Sequence, residues 1–166
     1  MENKNDKQFN ALEKAILEWY VTYYHDDNLT AQIRSAKFEK REWTRKGFYI
    51  DLKISYDLKP IDFSVLLEMV KPSDDLKQKY IKGSFPISGP YIRSNDIEDG
   101  GRTLLFGKDG YITFLELYAF GEHFKEHITN FELCDTLEGI SIAPTSPSLT
   151  TSPMEKLKRV IGFFKK

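Results

Sequence analysis

Cys134 is the only cysteine among the 166 residues, so no intramolecular disulfide can form, and a thiolate zinc site would need ligands of other kinds. Net charge is equally scarce, because 24 Lys and Arg nearly cancel 25 Asp and Glu. A generic nucleic-acid binder carries a clear basic excess, so none is expected here. No stretch approaches the ~18 uninterrupted apolar residues of a membrane span. The polar segment Met1–Lys7 lacks the apolar core of a signal peptide, and the expected compartment is the cytoplasm. The patterns G-x-G-x-x-G, G-x-x-x-x-G-K-[ST] and G-x-S-x-G are absent, which removes the usual routes to dinucleotide binding, phosphate-loop chemistry and serine hydrolysis.

Aromatic residues are abundant, with 12 Phe and 9 Tyr in a chain that is 40% hydrophobic. A chain of this length buries roughly 68–70% of its unfolded surface without a metal or disulfide staple. Residues 7–25 read as an amphipathic helix, since Phe9, Leu12, Ile16, Trp19 and Tyr23 recur at spacings of three and four, with Glu13, Lys14 and Glu18 mostly opposite. Asn28 is placed to cap a second short helix through Leu29–Ser35.

The period then changes to two. Lys37–Thr44 reads as a strand, Gly47 marks a turn, and Phe48, Ile50, Leu52, Ile54 and Tyr56 alternate with Tyr49, Asp51, Lys53 and Ser55. Ile61–Val70 fits either a strand or a short helix. Gly83, Pro86, Gly89 and Pro90 predict loop or irregular edge structure over Lys77–Pro90. Asp109-Gly110 between two apolar runs predicts a tight hairpin joining Arg102–Phe106 to Tyr111–Phe120, and Asp99-Gly100-Gly101 predicts another turn before it. The second arm is apolar on both faces, with Leu115 and Leu117 on one and Ile112, Phe114, Tyr118 and Phe120 on the other, so it should be central. Phe131–Leu133 would add a short final strand. The expected fold is α+β, with an N-terminal helix or helix pair on an antiparallel sheet of about four to six strands. Residues 1–140 form the expected domain, 141–153 a Ser/Thr/Pro-rich linker, and 154–166 a tethered basic amphipathic helix.

Four groupings carry possible chemistry. His123, Glu126 and His127 match H-x-x-E-H, in which two histidines on one helical face hold zinc and the glutamate activates its water. Such a metal-dependent hydrolase is the enzymatic alternative. Glu116 shares a strand face with apolar neighbours, where burial would raise its pKa. Basic residues around Trp43 (Arg34, Lys37, Lys40, Arg41, Arg45 and Lys46) are interrupted by Glu39 and Glu42, as on an ordinary solvated strand face. Between residues 91 and 140, ten carboxylates face only four bases. That segment suits a basic protein partner, with Asp96, Glu98, Asp99, Asp109, Glu116, Tyr118 and Glu122 as candidate contacts. The helix expected at 154–166 could also touch an anionic membrane peripherally.

Two stretches carry a resemblance. One is Leu12–Leu52, with Ala31-Gln32-Ile33-Arg34-Ser35-Ala36-Lys37, Arg41-Glu42-Trp43-Thr44 and Gly47-Phe48-Tyr49. The other runs from Gly100-Gly101-Arg102-Thr103-Leu104-Leu105-Phe106 through Asp109-Gly110-Tyr111-Ile112, Leu115-Glu116-Leu117-Tyr118 and Gly121 to Phe131-Glu132-Leu133. Over about 12–133 the chain resembles small bacterial proteins of unknown function, some of which look like immunity proteins of toxin systems. The resemblance implies helices on an antiparallel sheet and no known catalytic residues. The resulting expectation is a non-enzymatic cytosolic binding protein without a cofactor, and the resemblance adds the expectation of an immunity protein that neutralises a toxin domain.

Overall fold

The computed structural model describes residues 8–68 and 85–136. The linker and tail helix expected beyond residue 140 lie outside them. Helix α1 runs Ala11–Tyr24, and Asn10 starts it with a capping box. The Asn10 side chain accepts the Glu13 N–H at 2.9 Å while the Glu13 carboxylate accepts the Asn10 N–H at 2.8 Å. His25, left-handed at φ 51°, ends the helix. Helix α2, Asp27–Ser35, follows at once. Its cap is Asp26, which accepts the Leu29 N–H at 2.7 Å, rather than the expected Asn28. Asn28 instead donates to the Pro60 carbonyl at 3.2 Å.

Strands β1 (Lys37–Thr44), β2 (Gly47–Lys53), β3 (Phe85–Ser94), β4 (Ile97–Lys108), β5 (Tyr111–Ala119) and β6 (Glu132–Cys134) form one antiparallel sheet in the order β1-β2-β5-β4-β3-β6. The tight hairpin stands where expected, with Asp109 at φ 53° and Gly110 at φ 85° supplying the two positive φ values of a type I′ turn. Helix α3, Phe63–Glu68, settles the ambiguous apolar run as helical.

The three helices among the described residues pack on one face of the sheet. Leu12, Ile16 and Tyr20 of α1 and Leu29 and Ile33 of α2 join Phe48, Ile50, Leu52, Leu105, Leu115 and Leu117 in one buried cluster. Phe63 of α3 lies where a side chain on Gly107 would be. Each large aliphatic side chain buried there contributes about 1.5–3 kcal/mol. Gln32 ties α2 to the hairpin by donating to the Lys59 and Gly110 carbonyls at 3.0 and 2.9 Å and accepting the Ile112 N–H at 3.0 Å.

Several expectations need correction. Glu13, expected on the solvent side, is fully buried and receives Arg41 Nε at 2.7 Å and Nη2 at 2.8 Å. Of the loop or irregular edge structure expected over Lys77–Pro90, Pro86, Gly89 and Pro90 form the irregular edge, inside β3, whose register shifts between Ser88 and Tyr91. Among the described residues β6 pairs only with Tyr91–Arg93, so the preceding stretch has no strand on its outer side and tolerates proline. Asp99 and Gly100 have the positive φ expected of a turn, yet they form an irregularity inside β4. The chain reverses earlier, between Ser94 and Ile97. Positive φ is shared by turns and bulges, so composition alone does not separate them. A second register shift, beside Gly107, moves Ile112 onto the helix-covered face and away from Phe114. Tyr56 leaves the alternation at the end of β2 and is 81% exposed.

Candidate functional site

The residues singled out by charge separate into three places. At one end of the sheet, Asp96 accepts the Lys125 ammonium at 2.9 Å. Glu98 accepts the backbone N–H groups of Glu122 and His123 at 2.9 and 3.0 Å. These bonds hold the Asp96 and Glu98 carboxyls below their usual range, Asp96 chiefly through Lys125 and Glu98 through the two N–H groups. Glu122 pairs with Lys46 at 3.0 Å and Arg45 at 3.1 Å. The acidic segment is thus partly neutralised by bases outside it, and two of its carboxylates pin the 121–129 segment down. Asp99 sits in the β4 irregularity, and Asp109 occupies the hairpin turn at the opposite end. Glu116 and Tyr118 lie on the sheet face away from the helices. One acidic surface embracing all seven residues does not form.

His123 and His127 are exposed, and 120–131 is irregular apart from the Phe124 bridge to Ile97. The helical face that the H-x-x-E-H chemistry requires is therefore missing. Among the described residues no group of three His, Cys, Asp or Glu is placed to share a metal ion.

Among the described residues no helix covers the other face of the sheet, and this helix-free face is a more coherent surface. Cross-strand partners share a face, so Glu42 lies with Tyr49, Tyr49 with Glu116, and Asp51 with Phe114. Phe114 stacks on Phe106 at 4.2 Å between centroids and meets Tyr49 edge-on at 6.0 Å. Tyr118 meets Phe120 at 5.8 Å. Within this aromatic setting the Tyr49 phenol donates to Glu116. Burial raises the Glu116 pKa, and that hydrogen bond only partly opposes it. Burial and the Glu116 charge push the Tyr49 phenol up to about 12. Asp51 is raised by burial, then by the Glu42 and Glu39 carboxylates, with Lys40 acting the other way. Lys40 is itself paired with Glu42. Glu116 has no cation partner among the described residues.

A cleft of about 170 Å³ opens at the β3 margin, lined by Trp19, Tyr23 and Tyr24 of α1 together with Ser88, Gly89, Tyr91, Arg102 and Asp135. Trp19 donates its indole N–H to Asp135 at 2.8 Å and stacks on Tyr23 at 4.3 Å. Tyr24 donates to the Ser88 carbonyl at 2.7 Å. Arg102 donates to Ser88 Oγ at 2.8 Å, and its guanidinium stands 5.2 Å from the Tyr91 ring centre.

Tyr49, Asp51 and Glu42 were not singled out from the sequence, although the period-two alternation of Phe48–Tyr56 had already placed Tyr49 and Asp51 together on the wetter face. Trp19 and Tyr23 belong to the apolar helical face expected from the spacing, yet Tyr23 is 43% exposed. No local signal joins either to Asp135. None of the described helices is long and apolar enough to cross a membrane. Compared with known proteins, the chain matches no family model, no curated protein and no solved structure.

Proposed function

We propose that this chain is a non-enzymatic binding protein whose helix-free sheet face docks a protein partner carrying a basic surface. The observation that carries the reading is Glu116, a half-buried carboxylate on an aromatic surface with a phenol as its partner and no cation among the described residues. Asp51 and Glu42 extend the same negative patch across β2 and β1. A lysine or arginine from a partner would offset the desolvation that Glu116 and Asp51 already bear, while Tyr49, Phe114 and Tyr118 supply the apolar contact typical of an interface centre.

The resemblance to toxin-system immunity proteins narrows the proposal to occlusion of a toxin domain in the cytoplasm. Capture from a native host lysate, read by mass spectrometry, tests the broader reading. One dominant basic partner, lost with Glu116→Lys and retained with Glu122→Lys, supports it. The same capture by both variants, or a bait that retains nothing, removes it. For the narrower reading, co-expression with toxins encoded beside the gene should rescue growth, and failure to rescue counts against it.

A further inference from the structure

The cleft at the β3 margin has a separate logic, which begins with Arg102. A guanidinium carries five N–H donors. Arg102 directs one to Ser88 Oγ and another to Tyr118. No carboxylate among the described residues pairs with it. A half-buried cation set against tyrosines with no counter-ion among the described residues is costly, and a carboxylate binding in the bidentate manner would offset that cost.

The rest of the cleft selects what carries the carboxylate. A dry cavity of about 150 Å³ accepts benzene, so 170 Å³ has room for one six-membered ring with a carboxylate. Trp19, Tyr23 and Tyr91 offer flat walls, which favour a planar ligand. Asp135 uses one oxygen for the Trp19 indole, leaving the other to accept from a hydroxyl or amine on the ring. The Arg102 charge disfavours a cationic occupant.

We propose that this cleft binds a small planar aromatic carboxylate, its carboxylate on Arg102 and its ring against Trp19, Tyr23 and Tyr91. The same chemistry is available from a free acid or from the terminal carboxylate of a peptide ending in tyrosine. The chain holds two tryptophans, so the indole N–H signals in a 1H–15N spectrum provide a reporter in Trp19 and an internal control in Trp43. Titration with 4-hydroxybenzoate should shift the Trp19 signal saturably and leave Trp43 in place, with phenol and inorganic phosphate far weaker. Arg102→Gln should weaken binding at least tenfold. Tyr23→Ala, at an exposed position, should weaken it severalfold, and this keeps the test decisive if the arginine variant does not fold. A Gly-Gly-Tyr peptide with a free or an amidated terminus identifies the source. Tighter binding of the free terminus than of 4-hydroxybenzoate assigns a chain end, the reverse assigns a free acid, and both support the site. No shift at millimolar ligand, equal shifts of both indoles, equal binding of phosphate, or full binding by a folded Arg102→Gln variant would overturn the proposal.

Discussion

Tyr49 and Glu116 stand opposite each other across β2 and β5, and the phenol donates a hydrogen bond to the carboxylate. That bond favours the charged form of Glu116, whereas burial favours the neutral one and prevails. Tyr49→Phe removes only the opposing contribution, so the Glu116 pKa should rise further. Carboxyl 13C titration by NMR checks the direction, and an unchanged or lower value would contradict the assignment.

The same balance has a consequence for stability. A carboxyl whose folded pKa lies above its unfolded value takes up more protons in the folded state. Its destabilising effect is therefore absent below the unfolded pKa and grows as pH rises through the folded pKa. Glu116→Gln should leave thermal stability at pH 7 equal or higher and flatten its decline on leaving the acid range. Melting curves from pH 4 to 8 make the comparison. Sites kept for binding are commonly suboptimal for stability in this way.

Buried charge behaves differently where it is paired. Arg41 and Glu13 form a two-pronged bridge with side-chain exposures of 5% and 0%. Arg41→Ala leaves the carboxylate in the core and should cost about 3–5 kcal/mol in urea unfolding. The double replacement Arg41→Met with Glu13→Leu should recover much of that loss.

Gln32 spends both ends of its amide on α2-to-hairpin contacts. Gln32→Leu keeps the volume but leaves the Ile112 N–H without its acceptor, an expected loss of about 1–3 kcal/mol. Faster exchange at Ile112 should accompany it.

At the other end of the sheet, Asp96 and Glu98 have lowered pKa values through Lys125 and the Glu122 and His123 amides. Their contribution is present above the unfolded pKa and is lost as pH falls through the folded one. Acidification below about pH 4, near the ordinary carboxyl range, should release the 121–129 segment before the core opens. Amide exchange at Glu122 and His123 reports it, and Glu98→Gln should reproduce the release at neutral pH.

How much was legible in advance depended on distance along the chain. The alternation of Phe48, Ile50 and Leu52 and the Asp109-Gly110 turn are local patterns, and both elements stand as read. The burial of Glu13 depends on Arg41, 28 residues away, and a lone glutamate on a helix reads as solvent-facing. Glu122 meets Arg45 across 77 residues because β2 pairs with β5, so a charge count over 91–140 overstated the free acidity. Trp19 and Asp135 are 116 residues apart, and only the sheet order makes them neighbours. Glu116 and Tyr118 were found from their strand face; Tyr49 and Asp51 gained interest only once β2 was seen beside β5.

The most direct measurement is calorimetric titration of the captured basic partner against the wild-type chain, the Asp51→Asn/Glu116→Gln double variant and Glu122→Gln. Docking on the helix-free face predicts at least a tenfold weaker Kd for the double variant, about 1.4 kcal/mol, with Glu122→Gln binding like wild type. Equal affinity for all three proteins would contradict it.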